Sequence, residues 1–261
     1  MGFRDKIILK DSMSYIKHFA EGSENYQCFR PNYPQSLFDY LGSLVKTHDL
    51  AWDCGTGTGQ AAVSLAKTFK QVIATDINQA QLNVASKQDN IQYLCCPADK
   101  TPIASSSINL VTVAQALHWF NFERFYTEVK RVGKPESIIA VWCYSLGTIE
   151  KNIDAVIHHL YEDILGDAYW PPERRFIDAN YQTIPFPFKE IIAPAFSMQK
   201  QFTLDTFIGY LNTWSAVKQF IQQQQRNPMD EILPALKQAW GDLQQEKTMT
   251  WQLPLRVGIL D

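Results

Sequence analysis

The chain has 261 residues, 46% of them hydrophobic and 20% charged, which excludes an intrinsically disordered protein and leaves enough apolar surface for a sizeable core. A formal charge of -3 excludes a global pull toward nucleic acid or anionic membrane. No run is apolar for long enough to span a bilayer and the N-terminal segment lacks a signal-peptide core, so the chain reads as cytoplasmic.

In chain order, PQSLFDYLGSLV reads as a helix beginning near Pro34, since proline suits a first turn. Residues 49–145 then alternate the strand-like runs LAWDC, QVIATDI, IQYLCC, INLVTVAQA and SIIAVWCYS with the helix-like runs QAAVSLAKTF, NQAQLNVASKQ and NFERFYTEVKRV. That alternation is the pattern of a parallel sheet flanked by helices. From 147 to about 188 the helix-like IEKNIDAVIHHLYEDIL gives way to GDAYWPPERRFIDANYQTIPFPF, rich in proline and aromatics, which reads as an inserted lid. IIAPAFSMQKQFT and TMTWQLPLRVGIL read as two last strands, pairing antiparallel at the sheet edge, with helices TFIGYLNTWSAVKQFIQQQQ and MDEILPALKQAWGDLQQ between them. The expected fold is α/β, a Rossmann-like doubly wound, mostly parallel seven-stranded sheet with an antiparallel edge strand and a helical, aromatic lid. Cys28, Cys54, Cys95, Cys96 and Cys143 form no CxxC pair and read as buried free thiols.

The run AWDCGTGTGQ places Gly55, Gly57 and Gly59 between a strand and a helix, so bare backbone and helix-terminal amides meet a ligand at the carboxyl end of the sheet. A dinucleotide loop requires G-x-G-x-x-G, and counted from Gly55 the third glycine falls on Gln60, so that fit fails. Asp53, just ahead of the loop, repels a pyrophosphate and attracts a cationic ligand such as S-adenosylmethionine, which carries an ammonium and a sulfonium and no phosphate. A compatible second role is to accept hydrogen bonds from the loop and hold its turn. Asp76 ends the next strand, where a carboxylate takes two ribose hydroxyls; this supports adenosine without choosing the cofactor.

WDCGTGTG, Asp76, PADKTPI and NLVTVAQALHWF, in this order, resemble a class I S-adenosylmethionine-dependent methyltransferase. NYQCFRPNYP and YWPPERRF resemble its trans-aconitate methyltransferase-like group of small-molecule enzymes, and the resemblance spans nearly the whole chain. It implies that Gly55, Thr56 and Gly57 face the methionine part of the cofactor, Asp76 the ribose, Ile77 one face of the adenine, and Ala98 and Asp99 the adenine edge. It further implies that Gln115 lines the methionine portion, that Arg30 pairs with the cofactor carboxylate, and that Tyr26 and Tyr33 pack a flap over it. The single methyltransferase domain, 1–261, then divides into N-terminal helices and flap (1–48), cofactor core (49–145), substrate lid (146–188) and C-terminal strands and helices (189–261). The family's Leu-Lys-Pro-Gly-Gly turn is VGKPES here, with Glu136 and Ser137 at the glycines, a structural change at the end opposite the ligand face.

For the acceptor, His118 in ALHWF follows a strand end on the ligand side. It is either a general base or, with Trp119, part of the pocket wall. A carboxylate acceptor, already ionised at neutral pH, needs no base. Arg174 and Arg175 either neutralise an acidic substrate, with Tyr169 and Trp170 walling its apolar part, or anchor the lid; at most one points inward. His158 and His159 sit on different helix faces and are not a metal pair; no metal is expected. The expected activity is methyl transfer to a small molecule, a carboxylate oxygen being one target. The alternatives are transfer to O, N or C of another metabolite with His118 as base, or a non-catalytic cofactor-binding protein. A mild negative charge and no basic stripe argue against a nucleic-acid partner.

Overall fold

The computed structural model describes residues 31–261. Tyr26, Cys28 and Arg30 lie outside the described residues. Helix α1 (Gln35–Ser43) begins one residue after Pro34 and buries Leu37, Phe38 and Leu41 along one face. Strands β1 (Leu50–Cys54), β2 (Gln71–Asp76), β3 (Ile91–Cys95), β4 (Ile108–Ala114) and β5 (Gly133–Trp142) pair in parallel in the order β3-β2-β1-β4-β5.

Alternate side chains of these strands enter two separate cores. On one face Ala51, Val72, Ala74, Leu110, Ile138 and Ala140 meet α1 and α2 (Gln60–Leu65). On the other, Trp52, Val111, Val113, Ile139 and Val141 meet Phe125, Val129 and Val132 of the helix Phe122–Val132. Burial on both faces is why INLVTVA places apolar side chains on both sides of the sheet instead of alternating, its buried Thr112 being bonded to Asp53. Two asparagines set helix starts at the carboxyl end of the sheet. Asn78 accepts from the Ala80 and Gln81 N–H groups to open α3 (Gln79–Asn83), and Asn121 accepts from Arg124 N–H to open the helix Phe122–Val132, hereafter α4.

The two C-terminal strand-like runs each split in two. Strand β9 (Leu255–Ile259) runs antiparallel to β5, and β6 (Lys189–Ile191) pairs outside it, so the antiparallel strand of the seven lies one place in from the edge. The other halves, β7 (Phe196–Phe202) and β8 (Lys247–Leu253), leave the sheet as a two-stranded antiparallel ribbon. Pro194 and Pro254 mark both breaks, because a residue without an N–H cannot carry a ladder onward.

The lid contains α5 (Lys151–His158), a π-helical stretch His159–Leu165, α6 (Gly166–Tyr169) and α7 (Arg174–Asp178). After β7 the run expected as one helix forms α8 (Leu204–Asn212) and α9 (Ser215–Gln224). Between them the Thr213 N–H and hydroxyl both return to the Tyr210 carbonyl, at 2.9 and 2.6 Å, and Trp214 is extended. α10 (Met229–Trp240) follows. Phe202 of the ribbon stacks near Phe207, Tyr210 and Trp251, and Phe207 packs on Trp240, which joins ribbon and helices to the core behind β5.

Glu136, at φ 60°, takes the left-handed backbone of a glycine turn, at the end of β5 remote from the glycine loop, and pairs with Lys46. Cys54 and Cys143 are buried free thiols as expected, but Cys95 is exposed and Cys96 half-buried, because β3 is the outer strand of the sheet. No described helix is long and apolar enough to cross a membrane.

Candidate active site

The glycine loop runs from the carboxyl end of β1 into α2. Gly55, Gly57 and Gly59 all take left-handed backbone, with φ of 69°, 58° and 84°. A Cβ on Gly55 would stand 2.5 Å from the Ala116 methyl, and one on Gly57 2.7 Å from Gln81 Oε1. The Gly55 and Thr56 N–H groups are tied to the Thr75 carbonyl on β2, at 2.8 and 3.0 Å. Gln60, the residue that breaks the dinucleotide pattern, donates to the Pro31 carbonyl at 2.7 Å and to Asn32 Oδ1 at 3.0 Å, holding that segment against the loop.

Asp53 lies beneath the loop with 0% exposure. Its Oδ2 accepts from the Thr56 hydroxyl at 2.6 Å and its Oδ1 from the Thr112 hydroxyl at 2.8 Å, so it braces the loop against β4. Burial outweighs these bonds and pushes the Asp53 carboxyl up from 3.8 to about 6. Since the folded value is the higher one, this group's stabilisation is full below pH 3.8 and is lost as pH rises through about 6. At roughly 1.36 kcal/mol per pH decade the loss is about 3 kcal/mol. Urea titrations should show the wild type losing about this much relative to Asp53→Asn between about pH 4 and 6. Parallel curves for the two proteins would show that Asp53 is ionised at no cost.

Asp76, at the carboxyl end of β2, accepts from Gly57 N–H and Asn78 N–H, both at 2.8 Å. Each oxygen keeps a second lone pair, which two ribose hydroxyls can use. Burial raises its pKa. The next residue, Ile77, is 56% exposed, one of the few large apolar side chains turned to solvent among the described residues, and it supplies a flat apolar contact beside the carboxylate. Ala98 packs partly buried on the opposite core, and Asp99 stands 3.9 Å from Arg124. A cradle without side chains, a carboxylate with free lone pairs and an exposed Ile77 fit a nucleoside-bearing cation. Asp76→Ala should weaken S-adenosylmethionine binding about 10- to 100-fold by calorimetry, the range for hydrogen bonds to a charged group.

Beside the loop the end of β4, the lid and α8–α9 enclose a cavity of ≈ 110 Å³. Trp119, Tyr144, Tyr161, Trp170, Tyr210 and Trp214 wall it with rings, His118 and Arg174 bring nitrogen donors, and no carboxylate among the described residues lines it. Arg174 Nε bonds the Tyr161 hydroxyl at 2.6 Å and approaches Asp178 at 3.3 Å, and Nη2 bonds Ser145 Oγ at 3.0 Å. Nη1 has no hydrogen bond among the described residues, and the guanidinium lies over the rings of Tyr161 and Trp170. His118 is buried, its Nδ1 2.8 Å from the Tyr181 hydroxyl. Burial, with Arg174 adding repulsion, drops its pKa to about 3, so the imidazole is neutral.

Of the residues singled out in the sequence, Gln115, His118, Trp119, Trp170 and Arg174 meet at this cavity. The Gln115 amide is engaged at both ends by the Tyr144 backbone, at 2.8 and 2.9 Å, and so clamps β4 to the chain after β5. Arg175 is exposed with its guanidinium over Phe176, so one arginine of the pair points inward. Tyr169 faces Phe220 and Gln224 of α9 instead of the cavity. Tyr33 packs edge-on against Trp142. His158 and His159 are exposed and bond Glu162 and Asp163 one turn on. Tyr161, Tyr181, Tyr210 and Trp214 escaped the sequence reading. A wider open groove of ≈ 650 Å³ beside α4 holds none of the expected site residues.

A family model described as a methyltransferase domain matches residues 52–141, from β1 to the end of β5. A protein of Dictyostelium discoideum named as a methyltransferase is 40% identical over 226 residues, 85% of this chain and 86% of its own length. A Saccharomyces cerevisiae protein named as an S-adenosylmethionine-dependent methyltransferase is 33% identical over 140 residues, 50% of this chain and 48% of its own. The solved structure of a type II methyltransferase from Anaeromyxobacter dehalogenans is similar at a TM-score of 0.83 and 38% identity, over 88% of this chain and 98% of that one. With the glycine cradle, the strand-end Asp76 and the sheet order, these likenesses make the chain a member of the class I S-adenosylmethionine-dependent methyltransferases.

Proposed function

We propose that the protein methylates a small molecule at a carboxylate oxygen, as a member of the trans-aconitate methyltransferase-like group acting in the cytoplasm. The observation that carries this reading is Arg174, a mostly buried guanidinium in an aromatic cavity with no carboxylate in its lining. Nη1, the nitrogen without a hydrogen bond among the described residues, is available to an acid, and the rings enclose its apolar part and keep water out. A Marinomonas protein named as malonyl-[acyl-carrier protein] O-methyltransferase, 25% identical over 202 residues, agrees with oxygen as the acceptor atom. In this reading residues 49–145 hold the cofactor through Gly55, Thr56, Gly57, Asp76, Ile77, Ala98 and Asp99, and 146–188 form the acceptor lid.

Bound S-adenosylmethionine would supply a methyl group on a sulfonium, passed in line to the acceptor oxygen with the neutral thioether as leaving group. The chain's part is alignment: Arg174 fixes the acid and the lid excludes solvent. A carboxylate needs no proton removed, which agrees with His118, whose pKa of about 3 makes it a weak base. Turnover should therefore be flat across about pH 6–8, where a histidine base near its usual value would give an acid limb. The decisive experiment incubates the protein with methyl-labelled cofactor and a metabolite extract, then treats the labelled product with alkali. A methyl ester releases its label as volatile methanol; a base-stable product would refute carboxylate transfer and return His118 to consideration as a base.

A further inference from the structure

Three residues other than glycine take left-handed backbone around His118: Gln115 at φ 55°, Asn180 at 53° and Tyr181 at 60°. Strain of this kind persists only where the surroundings hold it, and it gathers at functional sites. Gln115 precedes the short turn Leu117–Trp119 that carries His118. Asn180 and Tyr181 reverse the chain after α7, with the Tyr181 N–H on the Phe176 carbonyl at 2.8 Å, and this reversal drives the Tyr181 ring, 0% exposed, under that turn.

The hydrogen bond of the Tyr181 oxygen decides which nitrogen of His118 carries the proton. The phenol is buried, and among the described residues His118 Nδ1, 2.8 Å away, is the hydrogen-bond partner of its oxygen. A buried hydroxyl that leaves its hydrogen unpaired is costly, so the phenol donates to that nitrogen. Nδ1 is then the acceptor nitrogen, and the ring proton sits on Nε2, the nitrogen left for the cavity.

We infer that Tyr181 is a positioning residue that holds His118 as a neutral Nε2–H donor directed at the methyl acceptor. The role rests on the proposed acceptor cavity. Fixed in this tautomer, the imidazole hydrogen-bonds an oxygen that the acceptor already carries and takes no proton from it. Arg174, in the same cavity, works in the same direction by opposing a second ring proton. Cys143, the other titratable group facing Tyr181, is itself buried with its thiol pushed up to about 12, so no anion competes for the phenol hydrogen.

The test is nitrogen–proton correlation spectroscopy of the histidine rings in the full chain. Among five histidines, the one missing in His118→Gln should show a protonated Nε2 and a bare Nδ1. It should not titrate between about pH 5 and 8. In Tyr181→Phe the same ring should move toward a mixture of both tautomers while S-adenosylhomocysteine affinity stays within about threefold of wild type, which reports an intact fold. A protonated Nδ1 in the wild type, a titration in that range, or an unchanged tautomer in Tyr181→Phe would overturn the inference. Should Tyr181→Phe not fold, the wild-type spectrum and its titration decide alone. Failure of the ester reading appears in the labelled product and leaves these spectra as they are, so the two ideas can fail separately.

Discussion

Gly55→Ala should lower the affinity for S-adenosylmethionine by at least about 100-fold, whereas Gly57→Ala should lower it about tenfold. Both positions have left-handed backbone, which costs a residue with a Cβ about 1–2 kcal/mol. The difference lies in what the new methyl meets. At Gly55 it falls 2.5 Å from the Ala116 Cβ and 3.2 Å from the Phe120 ring, two side chains of the packed segment between β4 and α4 that also carries His118. Relief there requires moving the loop or that segment, and either motion spoils the cradle. At Gly57 the neighbour is Oε1 of Gln81, the far end of a half-buried side chain that can swing aside. Calorimetric titration separates the two, with thermal melting as a check that both variants fold. Equal losses would show that both positions are gripped alike and that the backbone cost alone governs the loop.

The cofactor half of the molecule was legible because its signals are local. β1 falls on LAWDC, the loop glycines all need left-handed backbone, and Gln60 in the place of a third dinucleotide glycine reaches Pro31 and Asn32 instead of opening a phosphate seat. Asp53 shows the limit of local reading. Charge arguments give it two compatible roles, and burial with two threonine hydroxyls makes the bracing role visible. The acceptor half was only partly legible, because its wall comes from segments far apart in sequence. Tyr161, Tyr210 and Trp214 sit in helical runs where an aromatic normally marks core, and they are at once core and cavity lining. Tyr181 had a faint signal in Asn180 before it, since asparagine tolerates left-handed backbone better than most residues, but nothing in the sequence ties it to His118, 63 positions away. The split of the last two strands was signalled by Pro194 and Pro254, whose breaking effect outweighs the apolar runs around them.

Arg174→Met should lower kcat/KM for the acid acceptor by about 1,000-fold with S-adenosylhomocysteine affinity within about threefold of wild type, and Arg175→Met should change either by less than about threefold. The contrast follows from where the adjacent side chains go. Arg175 is exposed, its guanidinium resting on Phe176, so solvent screens whatever it attracts. Arg174 has a side chain only 16% exposed, ringed by Tyr161 and Trp170, where an ion pair with the proposed acid acceptor is poorly screened and removal of the cation would strand its carboxylate. Truncating one member of such a pair costs about 2–5 kcal/mol, which brackets the stated loss. Stability should fall much less, because the partner left behind, Asp178, is 42% exposed and rehydrates. Arg174→Lys separates charge from shape. It keeps the cation but gives up the planar fork that bonds Tyr161 and Ser145 together, and it should recover only part of the loss, to about 10- to 100-fold below wild type. Kinetics on the purified variants decide the matter: equal effects at Arg174 and Arg175, or a matching loss of cofactor affinity in Arg174→Met, would mean that Arg174 fastens the lid and that the acid is held elsewhere.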